Sequence, residues 1–248
     1  MSDPLHICEI FSSIQGEGML AGYRQIFIRL AGCNLDCDYC DTAFEKTGEC
    51  RVETKPGSAS FDLLPQSLSL NTLLDILKNW LAALPGAHHS ASITGGEPLL
   101  SADILKVWLP EIRSLLPVHL ETNGTLCSEL EEVIQHVDYI SMDMKLPSTS
   151  GGKDLWELHQ LFLQKARAKK VSVKIVVGND TDIAEILRVC DIIASVDLDT
   201  PLFIQPMMLS NGTIAVSAKH ILHLQELASR RLPNVRVIPQ MHKLLGAL

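Results

Sequence analysis

Short β-branched runs alternate with longer amphipathic ones from about residue 25 onward, and this alternation restricts the fold more than any other feature. Strands are expected over 25–31, 91–94, 118–121, 139–142, 171–177, 201–205 and 235–238. The apolar spacing between them predicts helices over 71–84, 102–116, 128–137, 154–168, 180–195 and 216–230. Pro85-Gly86 stops the first helix, Ser101 caps the second, Pro110 kinks or breaks it, and Ser128 with Glu131 forms a capping box for the third. Six successive βα units point to a parallel sheet covered by helices, an α/β fold. Six are too few for a closed eight-fold barrel, which leaves a partial (βα)6 barrel of TIM type or a doubly wound sheet. In either case the loops leaving the C-terminal strand ends should carry the functional residues. The stretch 43–70, with Pro56-Gly57-Ser58 and little periodicity, reads as an inserted lid or surface loop beside the site.

A chain of 248 residues, 46% hydrophobic, can bury a substantial core, and we expect one domain over 1–248. The net charge of −8 and the lack of a dense Lys/Arg run argue against a nucleic-acid partner and favour a small-molecule substrate. No apolar run approaches the roughly 20 residues of a membrane-spanning helix. Met1-Ser2-Asp3-Pro4-Leu5-His6 lacks the basic and apolar regions of a signal peptide, so the expected location is the cytoplasm. Seven cysteines in a reducing compartment read as ligands and buried thiols rather than a disulfide framework. Cys8, Cys127 and Cys190 fit small core residues, and Cys50, in a polar stretch, is read as exposed and without a role.

Cys33, Cys37 and Cys40 are spaced CxxxCxxC on the loop that the first of these strands delivers. Three thiolates on one short loop can each bind a different iron of a four-iron cluster and leave the fourth iron open to a substrate or cofactor. A structural zinc site would need a fourth closed ligand, and no histidine lies nearby in the sequence to supply it. Spacing alone leaves both readings standing.

Tyr39 before the last cysteine, and Thr94-Gly95-Gly96-Glu97-Pro98 one βα unit later, make the chain resemble the radical S-adenosylmethionine (SAM) superfamily. That resemblance implies a [4Fe–4S] cluster on Cys33, Cys37 and Cys40, with the methionyl group of SAM chelating the open iron. Reductive cleavage would give a 5′-deoxyadenosyl radical, and the two glycines would let the backbone approach the methionyl amine. Phe11-Ser12-Ser13-Ile14-Gln15-Gly16-Glu17-Gly18, Arg29-Leu30-Ala31-Gly32-Cys33-Asn34-Leu35 and Cys40-Asp41-Thr42 narrow the resemblance to the 7-carboxy-7-deazaguanine synthase family of queuosine biosynthesis. Glu121-Thr122-Asn123-Gly124-Thr125, Lys145-Leu146-Pro147-Ser148 and Pro239-Gln240-Met241-His242-Lys243 fit the same family, so the resemblance spans nearly the whole chain.

The family resemblance implies conversion of 6-carboxy-5,6,7,8-tetrahydropterin to 7-carboxy-7-deazaguanine by radical ring contraction, with ammonia lost and SAM regenerated. It places the substrate on Ile14, Gln15, Gly16, Arg29, Thr94 and His242. Glu17 and Arg29 are the implied catalytic pair, Glu17 accepting from ring nitrogens and Arg29 pairing with the carboxylate. SAM falls to Tyr39, Cys40, Asp41, Gly96, Asn123, Asp143, Met144, Lys145 and Gln205, and magnesium to Thr42. The chain departs from many relatives in reading Ser141-Met142-Asp143-Met144-Lys145 where they have a shorter Ser-Pro-Lys. A flavodoxin- or ferredoxin-type electron donor and a homodimer are also implied.

Plainer readings stand beside these. Glu17 and Arg29 could form a structural ion pair, Thr42 could cap a turn, and Asp143 could be a strand-end turn residue. His88 and His89 read as solvated, and Met207-Met208 as packing residues near the adenosine or in the core. Two other functions compete: a radical SAM activase acting on a partner protein, and a non-enzymatic scaffold in which zinc holds the cysteine loop.

Overall fold

Alternate positions along most of the strands are aliphatic, the intervening ones polar, and this period of two gives the sheet an apolar outer face and a polar inner one. The computed structural model describes residues 3–37, 39, 40, 44, 45, 47–209 and 212–248. Five strands, β1 (Leu5–Ile14), β2 (Arg24–Leu30), β3 (Glu49–Glu53), β4 (Phe61–Pro65) and β5 (Ser67–Leu68), precede helix α1 (Leu70–Ala83). Strands and helices then alternate: β6 (Ser90–Gly95), α2 (Ala102–Arg113), β7 (Val118–Thr122), α3 (Cys127–Val133), β8 (Tyr139–Asp143) and α4 (Trp156–Ala166). The series ends with β9 (Lys170–Val177), α5 (Ile183–Val196), β10 (Leu202–Pro206), α6 (Ala218–Ser229), β11 (Val235–Val237) and α7 (Met241–Leu245).

The sheet runs β11-β10-β9-β8-β7-β6-β2-β1-β3-β4. From β2 through β11 every neighbouring pair is parallel and the strands follow in chain order. A doubly wound sheet would reverse its order at a switch point. This one does not, and it does not close either, so the architecture is an open partial barrel. Ile26, Ile28, Ile93, Leu120, Ile140, Val173 and Ile204 pack outward in one core with α1 to α6. Gln25, Ser90, Ser92, His119 and Ser172 alternate with them and are buried on the other face, so the barrel interior is polar.

The structure corrects several expectations. The stretch 43–70 carries three strands: β3 pairs parallel with β1, β4 antiparallel with β3, and β5 with the start of β1. They are short, β3 carries three charged residues, and the consecutive leucines of β4 break the alternation. Cys50 lies on β3 and is fully buried. Pro110 sits inside α2 without ending it. No side chain caps α3; Glu131 pairs with Lys165 instead. His88 is buried, with Nε2 2.9 Å from Ser12 Oγ, and burial pushes its pKa down to about 4.

Candidate active site

One cavity of about 820 Å³ opens among the strand ends and is walled by the cysteine loop, the first-strand segment and the chain's last residues. Its floor comes from the stretch after β1. Strand β1 runs antiparallel to β2, and the chain then turns into the barrel. Gln15 Nε2 donates to Gln25 Oε1 (2.9 Å) and Glu121 Oε1 (3.0 Å), while Gln15 Oε1 accepts from the Glu17 amide (3.0 Å). The Gln15 side chain is therefore committed to holding the floor, and Ile14, Gln15 and Gly16 all line the cavity. Gly16 has a strict steric reason: a Cβ there would lie 2.0 Å from His242 Nδ1. The Met241 amide donates to Gly16 O at 3.1 Å, which lays α7 against the floor.

Glu17 and Arg29 do not pair. Glu17 Oε2 accepts from Lys174 Nζ at 2.5 Å, and Oε1 from Gln205 Nε2 (3.1 Å) and Gln240 Nε2 (2.9 Å). Desolvation opposes ionisation of Glu17, but Lys174 outweighs it and holds the carboxyl below its ordinary pKa. Lys174 also reaches Asp143 Oδ2 at 3.1 Å, and Lys145 Nζ bonds the same oxygen at 2.9 Å and Tyr39 OH at 2.8 Å. Burial works against the Asp143 charge as well, yet the two lysines bring its pKa to about 2. Both lysines, desolvated but flanked by carboxylates, stay protonated far above neutral pH. Asp143 Oδ1 is buried with no hydrogen-bond partner among the described residues, an acceptor suited to a ribose hydroxyl.

Met144 does not join the cavity. Strand alternation sends Asp143 and Lys145 inward and Met144 into the apolar core, where it is fully buried. Tyr39, Thr94, Gly96, Asn123, Gln205 and His242 all line the cavity with Cys33, Cys37 and Cys40. Asp41 and Thr42 lie outside the described residues. Glu121 lines it too, within the Glu121–Thr125 motif but with no role assigned there; Lys174, Glu9 and Arg51 also line it, though no motif singles them out. Lys174 stands 157 positions from Glu17, beyond any local pattern. Period two along Lys170–Val177 does place it on the inner face with Ser172, and that is the available signal.

The two glycines have a nearer cause than ligand approach. A Cβ on Gly95 would sit 2.3 Å from Leu30 O, and one on Gly96 would sit 2.1 Å from Gly32 O and 2.9 Å from Cys33 Cβ. They let the loop after β6 pack directly on the root of the cysteine loop. Glu97 then ties that loop to β7: its carboxylate accepts from Thr122 Oγ1 (2.8 Å), the Asn123 amide (2.7 Å) and the Leu99 amide (3.1 Å). Burial raises its pKa to about 7 against those three bonds. Asn123 Nδ2 in turn donates to Asn34 Oδ1 at 2.8 Å, pinning the cysteine loop from the other side.

Cys33 and Cys37 are half-buried and Cys40 exposed, and burial raises the first two thiols above their ordinary pKa. Among the described residues no three Cys, His, Asp or Glu side chains are gathered closely enough to hold a single metal ion. The three thiols share a loop and a cavity wall, and the root of that loop at Gly32 and Cys33 packs on Gly96 too closely for a Cβ. With the unpartnered Asp143 oxygen across the cavity, this donor set fits a cluster with an open iron and a nucleoside-bearing ligand.

A model of the radical SAM superfamily matches residues 27–204, and the chain belongs to that superfamily, whose cofactors are a [4Fe–4S] cluster and SAM. The chain is 50% identical to a 7-carboxy-7-deazaguanine synthase of Geobacter sulfurreducens, over 97% of this chain and 96% of the relative. It is 34% identical to one of Methanothermobacter thermautotrophicus, over 97% and 96%. Within the superfamily it belongs to the 7-carboxy-7-deazaguanine synthase family. Among solved structures its fold is similar to QueE from Escherichia coli, with TM-score 0.56 and 20% identity over 97% of this chain and 94% of that one. TYW1 with a lysine-pyruvate adduct bound shares the fold at TM-score 0.54 and 15% identity, over 86% and 75%.

Proposed function

We infer that this protein is a radical SAM lyase converting 6-carboxy-5,6,7,8-tetrahydropterin to 7-carboxy-7-deazaguanine with loss of ammonia, SAM being regenerated. One observation carries the reading: the cysteine triplet, the Ile14–Glu17 floor and Arg29 line a single cavity of about 820 Å³. When bound, the cluster and SAM supply a one-electron reduction that opens a route to hydrogen abstraction and its later return. The chain's own residues bind, orient and shield. Cys33, Cys37 and Cys40 hold the cluster, releasing their thiol protons as they do so. Asp143 offers its unpartnered oxygen to the ribose. Tyr39, Cys40, Gly96, Asn123, Lys145 and Gln205 line the rest of the SAM side, while Met144 is buried in the core with its amide on Lys174 O and takes no part.

The backbone at Ile14, Gln15 and Gly16 reads the edge of the pterin, Thr94 is a further contact and His242 closes the cavity over Gly16. Glu17 stays anionic. Three of its roughly four acceptor positions are already filled by Lys174, Gln205 and Gln240, which leaves one for a ring N–H. It orients the substrate and is not the group that protonates the departing ammonia. Arg29 pairs with the substrate carboxylate. Thr42 holds magnesium beside that carboxylate, with Asp41 orienting its waters. The protein works as one domain and as a homodimer in the cytoplasm, takes electrons from a flavodoxin- or ferredoxin-type donor, and with net charge −8 does not engage nucleic acid. No helix among the described residues is long and apolar enough to cross a membrane.

Anaerobically reconstituted, reduced protein incubated with SAM, magnesium and the carboxytetrahydropterin should yield 7-carboxy-7-deazaguanine, identified by mass and ultraviolet spectrum. No deazapurine under those conditions refutes the assignment. Retention of one tight zinc with no iron uptake would favour the scaffold instead.

A further inference from the structure

Arg29, Glu9 and Arg51 form one row across three adjacent strands. Glu9 on β1 is the cross-strand partner of Arg29 on β2 and of Arg51 on β3. Glu9 Oε2 lies 3.4 Å from Arg29 Nε, and its Oε1 lies 3.1 Å from Arg51 Nη1. An aromatic flanks each end of the row. The Arg29 guanidinium sits 5.4 Å from the centroid of Phe11, itself stacked on Phe27 at 4.9 Å and 7°. The Arg51 guanidinium sits 4.1 Å from the centroid of Phe61 on β4. Glu9, Arg29 and Arg51 all line the cavity.

We propose that Glu9 and Arg51 are positioning residues for Arg29, so that the β3–β4 hairpin is a built part of the subsite for the substrate's carboxylate. This rests on the lyase reading above. A guanidinium has one Nε–H edge and a fork of Nη groups. Glu9 stands at ion-pair distance on the Nε side and Phe11 flanks the guanidinium, and together they orient the Nη groups. A lone Glu9 would neutralise Arg29 and compete with an incoming carboxylate for the same fork. Arg51 prevents this by drawing Glu9's second oxygen to itself. Two guanidinium groups and one carboxylate then leave the row with net charge +1, and a bound carboxylate brings it to neutrality. The hairpin contributes charge and orientation to a site whose other parts come from the barrel.

The test compares wild-type holoenzyme with Arg51→Met, which keeps an aliphatic stem over Phe61, and with Arg51→Lys. Steady-state turnover of the carboxytetrahydropterin is expected to show KM raised roughly tenfold in Arg51→Met, from the lost unit of charge and the recaptured Arg29 fork. Its kcat should stay within about twofold. Arg51→Lys should recover most of the loss, because a cation there still draws Glu9 away. A binding arm uses 6-carboxypterin and pterin without the carboxylate. In Arg51→Met the preference for the carboxylated ligand should fall roughly tenfold, with pterin binding, iron content and melting temperature unchanged. An unchanged KM, or equal weakening of both pterins, overturns the proposal. Should wild type bind 6-carboxypterin but make no deazapurine, the lyase reading fails while the binding arm still decides the role of Arg51.

Discussion

Lys174→Met keeps much of the side chain's volume and removes the ammonium that Glu17 and Asp143 share. Removing one partner of a buried ion pair costs about 3–5 kcal/mol. Two features move the expected loss below that range: Lys145 stays on Asp143, and Gln205 and Gln240 stay on Glu17. The side chains also keep 14–17% exposure. We therefore expect about 2–3 kcal/mol at pH 7.5, a fall of roughly 5–10 °C in Tm for a chain of this size. The pH dependence gives the sharper check. In wild type both carboxylates have folded pKa values below their ordinary 4.5 and 3.8. Their contribution is present above those values and disappears as pH falls through the folded ones. In the variant, desolvation of Glu17 is no longer opposed by Lys174, so its folded pKa rises above 4.5. The variant's penalty is then relieved as pH falls through that raised value. Thermal unfolding of the metal-free protein at pH 7.5 and 5.0 should show a gap that narrows at the lower pH. A gap of equal size at both pH values, or below about 0.5 kcal/mol at pH 7.5, would refute the reasoning, since surface substitutions reach that size without such a network.

Two further predictions concern the supports of the site. Gly96→Ala puts a methyl 2.1 Å from Gly32 O and 2.9 Å from Cys33 Cβ. Iron retained per chain after reconstitution and desalting should fall several-fold, with the circular dichroism of the barrel unchanged; full iron content would show that the loop tolerates the displacement. Asp138 accepts from the Arg113 guanidinium and from the Val118 amide at 2.9 Å, and these hold its pKa down against desolvation. Asp138→Asn should cost about 1 kcal/mol at pH 7, the modest size expected where Arg113 is 43% exposed. Because the folded pKa lies below the ordinary 3.8, that difference should persist above pH 4 and vanish as pH falls through the folded value, as read by urea denaturation.

The parallel half of the fold was legible in the sequence because its outward positions are uniformly aliphatic and its connections carry helical spacing. The mixed strands β1 and β3 to β5 were not. Strand β1 mixes Cys8, Glu9, Ser12 and Ser13 into its run, β3 is short and charged, and β4 is short with two leucines in succession, so no alternation stands clear of the loop composition. Motifs located most of the cavity wall, since cysteines and glycines at fixed offsets constrain local backbone. They could not say which cation meets which carboxylate. Glu17 and Arg29 are close in sequence, yet the register of β1 on β2 gives Arg29 to Glu9, and the inner face of β9 brings Lys174 to Glu17. Pairings of this kind are set by strand register and the curvature of the sheet, which no short motif encodes. Met144 shows the same limit at one residue's scale: the motif was located, but strand period two decides which of its side chains enter the cavity.

In the proposed reaction one cavity binds SAM and a carboxylated pterin together and returns the abstracted hydrogen. The most direct measurement follows 7-carboxy-7-deazaguanine, ammonia and 5′-deoxyadenosine in the same anaerobic reaction, with the carboxytetrahydropterin in excess over SAM and protein. Deazapurine and ammonia should appear in equal amounts, with many turnovers per chain and far less 5′-deoxyadenosine, because SAM is regenerated. Stoichiometric consumption of SAM to 5′-deoxyadenosine with no deazapurine would contradict it.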